Sequence, residues 1–293
     1  MKLKGILFTI LSALLFGVTP VLASKTYEMG SNAETLTFYR NAMVIPVIFI
    51  VILSKRIGFQ ISKKQIIEIL IIGIMGRGIT TLMLYASYQY VGISTATTLH
   101  FLYPVFVALI CRIFYKEKLG KIKLIALIVA SAGISFFMEQ GENFAVTGII
   151  LAVASGLTYA FYMVGMDKRG LKDIDPFKLS FYMAIAVSVG MICYNIPTKA
   201  IVFNLSPKAM IYTFIVAICT SFFAVALLQI GIKYLSATTA AIFSLFEPIT
   251  SSISGALFLG EKITVFKIIG SIIILAAATI LITVGKQRKK AVS

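Results

Sequence analysis

Apolar runs of about 20 residues follow one another from end to end of this 293-residue chain. A helix of that length, rising about 1.5 Å per residue, matches the roughly 30 Å hydrocarbon core of a bilayer. Lipid offers no hydrogen-bond partner, so a spanning backbone must satisfy itself as a helix or a closed barrel. These runs are too long for barrel strands and lack apolar/polar alternation. Helices remain. We read ten spans: 5–24, 34–54, 66–89, 93–115, 121–138, 146–166, 177–196, 208–230, 237–259 and 265–285. Only 13% of residues are charged, against about 25% in soluble domains. The expected fold is an all-α integral membrane protein with ten transmembrane helices.

The start, "MKLKGILFTILSALLFGVTPVLASK", has the basic head, apolar middle and small-residue end of a signal peptide. Its apolar stretch is close to spanning length. A related stretch, "GIILAVASGLTYAFYMVGMDK", occurs mid-chain, where no signal peptide sits. The first span is expected to be retained.

That echo belongs to an internal repeat. At a shift of 144, Tyr90, Thr95, Ala96 and Pro104 fall on Tyr234, Thr239, Ala240 and Pro248. Glu117-Lys118 falls on Glu261-Lys262 at the same shift. At 143, Gly5 meets Gly148, Ser12 meets Ser155, and "LTFY" (36–39) meets "LSFY" (179–182). Spans 1–5 therefore match spans 6–10, dividing the chain into 1–141 and 142–293.

The net charge of +16 would raise nucleic acid as a partner for a soluble protein. Here the cations sit in short loops between apolar runs. With the N-terminus placed inside, 20 of the 27 Lys and Arg fall on the cytoplasmic side and five outside. This bias puts both termini in the cytoplasm. Five spans per copy is an odd number, so the second copy enters from the opposite face. The repeat is inverted, an arrangement used by secondary transporters with a midplane site between the copies.

The ten spans, the doubled five-span unit, the proline followed thirteen residues later by Glu-Lys, and "FEP" in span 9 resemble the drug/metabolite transporter superfamily, in its EamA-type branch. The resemblance covers essentially the whole chain. It implies a bacterial inner-membrane carrier for small metabolites, often an exporter of amino acids or related compounds. It also implies a central cavity lined by spans 1, 3, 4, 6, 8 and 9, with spans 5 and 10 peripheral.

Ionisable residues inside a membrane are costly and are functional candidates by default. Glu247 is the one acidic residue deep in a span, with Ser244 and Ser251 one turn to either side. It is read either as a substrate or proton site, or as a cap for backbone groups freed by Pro248. His100 is the only histidine, on span 4. Imidazole is suited to changing charge near neutral pH, which makes it a candidate for proton coupling. Tyr103 is the repeat counterpart of Glu247. Arg77, near the centre of span 3, shares a face with Thr81 and Tyr88, and Gly76 and Gly78 flank it. Its guanidinium is always charged and needs an anion. A substrate carboxylate, Glu247, or a snorkelled position at the interface would each serve. Phe16 and Tyr159 are repeat counterparts, one turn from Ser12 and Ser155, and are candidate lining residues. Pro104 and Pro248 are candidate bending points of spans 4 and 9 during gating. The working reading has Arg77 and Glu247 on the charged ends of a zwitterionic or amphipathic metabolite, with Tyr159, Tyr103 and Phe16 along its apolar body.

No Walker A sequence, dinucleotide turn or zinc-binding helix occurs. Aspartate is confined to Asp167, Asp173 and Asp175, in one cytoplasmic loop. Cys111, Cys193 and Cys219 are too scattered for a metal site or disulfide framework. No enzyme, cofactor, metal or nucleic-acid partner is expected. A secondary carrier leads; a channel or non-transporting scaffold, and less so a membrane-embedded lipid enzyme, are the alternatives. Oligomeric state, substrate identity and coupling ion stay open, with protons the candidate ion.

Overall fold

The computed structural model describes residues 2–118, 120–137, 145–260 and 262–290, with side chains omitted for residues 2, 94 and 281–290. Glu261 and the expected boundary between copies at 141/142 lie outside the described residues. Among the described residues the chain forms helices and no strand. Eight helical stretches are long and apolar enough to cross a membrane: Leu3–Glu28, Ala33–Ser54, Lys63–Ile93, Thr95–Phe114, Val146–Lys168, Pro176–Thr198, Pro207–Tyr234 and Ala237–Leu259. They match spans 1–4 and 6–9. Of the other two, the span 5 helix, Lys121–Ser135, is 15 residues long, short of a full crossing, and span 10 lies in the 26-residue helix Val265–Lys290. These two helices pack on each other at the side of the bundle. Their backbones cross closely where Gly133 faces the Gly270 carbonyl.

Each spanning helix buries only about half of its apolar window inside the protein. Large apolar side chains such as Leu7, Ile50, Ile128, Ile150, Ile196 and Ile272 stand outside. In water such a surface would be a liability; in lipid it is the solvent-facing side. Polar side chains turn inward.

Spans 1, 2, 4 and 9 are each broken in two: Lys2–Gly17 and Thr19–Glu28; Ala33–Ala42 and Val44–Ser54; a first half ending at His100 and then Tyr103–Phe114; Ala237–Ser244 and Glu247–Leu259. One cause serves all four. Pro20, Pro46, Pro104 and Pro248 each stand within the first turn of the second half, where a missing N–H costs nothing. Each leaves the carbonyl four residues back without its helical donor. Spans 3 and 8 are distorted differently. Each carries a π-helical segment, Ile72–Gly78 and Ala217–Ala224, at corresponding places in the two copies. Such segments shift which residues face inward downstream of them and concentrate at functional sites.

Spans 3 and 4 join at a single residue. Gly92 has φ 69° and ψ 167°, a conformation essentially reserved for glycine. Gly92→Ala should therefore cost about 1–3 kcal/mol, visible as a lower melting temperature of the purified protein.

The two copies interlock. Span 1 packs on span 8 of the other copy, and span 6 packs on span 3. The counterpart glycines mark the reciprocity. A Cβ on Gly5 would lie 2.8 Å from Tyr234 Cβ, and one on Gly148 would lie 2.5 Å from Tyr90 Cβ. Small residues permit this approach where no hydrophobic drive between helices exists.

The end of the bundle carrying the lysine-rich loops is laced together across the copies. Glu117 pairs with Lys168 at 3.2 Å and with Lys123 at 3.7 Å. Glu68 pairs with Arg169 at 2.7 Å. Asp167 holds Lys168 and Lys172, each at 3.3 Å, and accepts from the Ala237 amide at 3.2 Å, capping the first half of span 9.

Candidate functional site

The breaks in spans 1, 4 and 9 and the π-segment of span 3 border one cavity of about 70 Å³. It is built from both copies. Spans 1, 2, 3, 4, 6, 8 and 9 contribute to its wall, so span 2 joins the six spans that the resemblance implied. Tyr88 and Thr97 among its walls belong to the halves of spans 3 and 4 nearest Gly92. The cavity thus lies toward the end opposite the ion pairs.

Glu247 is the first residue of the second half of span 9. The amide dipoles at a helix start favour a negative group there. Among the described residues no cation lies within 4 Å of the Glu247 carboxylate. Span 1 reaches this break through Gly17, where an added Cβ would meet Thr250 Cβ at 2.5 Å and the Glu247 carbonyl at 2.8 Å.

Arg77 closes the π-segment of span 3 and is 6% exposed. Neither Nη1 nor Nη2 finds an acceptor in the protein. Gly76 lets span 3 approach Tyr162, with a hypothetical Cβ 3.0 Å from the Tyr162 Cα. Thr80 Oγ1 bonds the Gly76 carbonyl and meets Thr158 Oγ1, each at 2.6 Å. Thr81 Oγ1 donates to the Arg77 carbonyl at 2.9 Å. Both carbonyl contacts are the back-bonds to the fourth preceding carbonyl that threonine makes within helices.

His100 is the last residue of its helix, and its Nδ1 lies 2.9 Å from Ser155 Oγ. That hydroxyl also lies 2.6 Å from the Ala152 carbonyl, which can only accept. The serine hydrogen is therefore committed, so Nδ1 carries the imidazole hydrogen and Nε2 is the acceptor. Gly156 sits against the His100 carbonyl, 2.8 Å from where its Cβ would be. The imidazole packs beside Tyr103 and Tyr159 at ring separations of 5.5 and 5.3 Å.

Of the eight sequence-derived binding candidates, Glu247, Arg77, His100, Tyr159, Phe16 and Thr81 line the cavity. Tyr103 and Ser244 stand behind it. Tyr103 is fully buried and meets Tyr159 edge-on at 4.8 Å, and Ser244 Oγ donates to the Ala240 carbonyl at 3.1 Å. Pro104 and Pro248 each occupy the second position of a new helix.

Sequence reasoning passed over Arg40. It is 6% exposed, lines the cavity, and donates from Nε to Ser221 Oγ at 3.0 Å and from Nη1 to the Tyr85 hydroxyl at 2.7 Å. Its place inside the expected span 34–54 was the available signal. Tyr85 and Tyr162 were also missed, though Tyr162 lies one turn from Tyr159.

Comparison with known proteins agrees with this architecture. A solved crystal structure superposes with a TM-score of 0.83 over 98% of this chain and 99% of that chain, at 15% identity, which speaks to the fold. The uncharacterized transporter YcbK of Bacillus subtilis (strain 168) is 25% identical over 281 residues, covering 91% of this chain and 88% of that protein. YyaM of the same organism, also named an uncharacterized transporter, is 23% identical over 88% of this chain and 87% of its own. Mouse solute carrier family 35 member G1 is 26% identical over 62% of this chain and 52% of its own length. The profile of the EamA-like transporter family matches twice, over residues 3–138 and 146–283. This chain is a multi-pass membrane protein and belongs to the EamA-like transporter family.

Proposed function

We propose that this protein is a secondary carrier that moves a small amphipathic metabolite, an amino acid or related compound, across the bacterial inner membrane by alternating access. Export is the proposed direction, with both termini in the cytoplasm. The observation that carries this reading is the placement of one cavity between the copies, beside the breaks in spans 1, 4 and 9, with cross-copy ion pairs lacing the end away from it. A channel would want a continuous polar path. Here the ionisable groups Arg40, Arg77, His100 and Glu247 gather in one cavity instead of lining a path, an arrangement suited to alternating access about a site between the copies. Glu247 and His100 are the lining groups suited to proton exchange, which would supply the driving force.

Counterflow of labelled metabolite in proteoliposomes tests the carrier. Trans-stimulated uptake is expected; a flux with no trans-stimulation for any bound compound overturns it. The ion-paired end should open more readily once its central acid is neutralised. In a variant keeping only Cys111, which is fully buried, Glu117→Gln should raise thiol labelling about threefold, the effect of losing the cross-copy pair with Lys168 and the pair with Lys123, worth ~0.2–1 kcal/mol each.

A further inference from the structure

The charges around the cavity do not balance. Two arginines line it, Arg40 and Arg77, each 6% exposed. Both are permanently cationic. Neither has a carboxylate within 4 Å among the described residues. The one acid in the wall is Glu247. With its carboxylate ionised the wall carries one surplus positive charge, and with it protonated, two. The sign is the same either way. A surplus charge in a low-dielectric pocket is costly until an anion arrives.

The two arginines are not equivalent. Arg40 is fixed by Ser221 and Tyr85. Arg77 leaves both terminal nitrogens without a protein acceptor. Two adjacent guanidinium nitrogens present parallel donors whose geometry matches the two oxygens of a carboxylate. The rest of the wall sets Phe16, Leu84, Phe101 and Val225 among the hydroxyls of Thr19, Thr80, Thr81, Thr97 and four tyrosines. Among the described residues it holds no lysine, the point charge that phosphate sites commonly add.

We infer that the carried species is a small organic carboxylate of net negative charge, gripped by the free fork of Arg77 with its apolar body against the aromatic wall. This rests on the cavity being the carrier's substrate site, and it narrows the substrate class. A neutral zwitterionic amino acid would leave the surplus in place. A simple carboxylate or an acidic amino acid cancels it when Glu247 is ionised and halves it when Glu247 is protonated.

The test uses ligands that share a body and differ in charge. Phenylacetate, phenylacetamide, phenethylamine, phenylalanine and phenyl phosphate form one set; butyrate, butyramide and alanine form a smaller one. Thermal stabilisation of the purified full-length protein is measured for each, independently of transport. A carboxylate should stabilise at concentrations at least tenfold below its amide, amine or zwitterion. Arg77→Gln should abolish that preference, and Arg77→Lys, which keeps the charge and loses the fork, should weaken it at least tenfold. The ligand-free Arg77→Gln protein should melt a few degrees higher than the parent, because an unpaired buried cation has gone. The inference is overturned if no carboxylate stabilises, if the amide, amine, zwitterion or phosphate does so as well, or if empty Arg77→Gln or Arg77→Lys melts markedly below the parent, which would make Arg77 a structural prop. Trans-stimulated counterflow with an amine or zwitterion preference would sink the charge assignment and leave the carrier standing. Carboxylate binding without counterflow would do the reverse.

Discussion

Glu247→Gln should reduce transport in proteoliposomes more than tenfold while leaving folded protein in detergent at parental yield. The substitution keeps the shape of the side chain and removes its ability to carry charge or exchange a proton. Glu247 opens a half-helix at the cavity wall and has no cation within 4 Å among the described residues. No structural ion pair is lost with it. A tenfold loss corresponds to about 1.4 kcal/mol in the rate-limiting barrier. Parental transport rates in this variant would return Glu247 to the role of a helix cap. The measurement is initial counterflow rate against protein amount, at matched pH on both sides of the membrane.

Gly17→Ala should act through packing rather than chemistry. The added methyl carbon would sit 2.5 Å from Thr250 Cβ, 2.8 Å from the Glu247 carbonyl and 3.0 Å from the Ser251 amide. Two of those neighbours are backbone, which cannot swing aside. Overpacking of this kind costs about 1–3 kcal/mol. Span 1 must back away from span 9 where Glu247 is presented. A melting temperature several degrees lower and impaired transport are expected together. Unchanged melting would mean that the two helices separate without penalty.

Much of this architecture can be read from the residues. Ten apolar runs, one shift of 143–144 and two matched prolines lead to the doubled unit and to the breaks in spans 4 and 9. The length of span 5 was less legible, since hydropathy does not say where a peripheral helix ends. The π-segments left no trace, because no proline marks them; their hydrogen-bond pattern is a tertiary result. Six of eight site candidates line the cavity because buried ionisable and aromatic groups at midspan have few other places to go. Arg40 escaped notice for the opposite reason. Read alone, it lies close enough to a helix end to pass for a loop-facing cation, and only its hydrogen bonds to Ser221 and Tyr85 draw it to the centre.

The interlocking of the two copies bears on how the molecule is made. Ser12 on span 1 donates its hydroxyl to the Ala224 carbonyl on span 8, a contact that spans 212 positions of sequence. During synthesis span 1 enters the bilayer long before span 8 leaves the ribosome. Its glycine-lined face must wait in lipid, unpartnered, through most of translation. Insertion and packing are therefore separate stages, the second held back until the second copy is nearly complete. Neither copy contains the natural neighbour of its own first helix, so a half-molecule made alone lacks the surface it was shaped to meet. The unit of assembly is the pair.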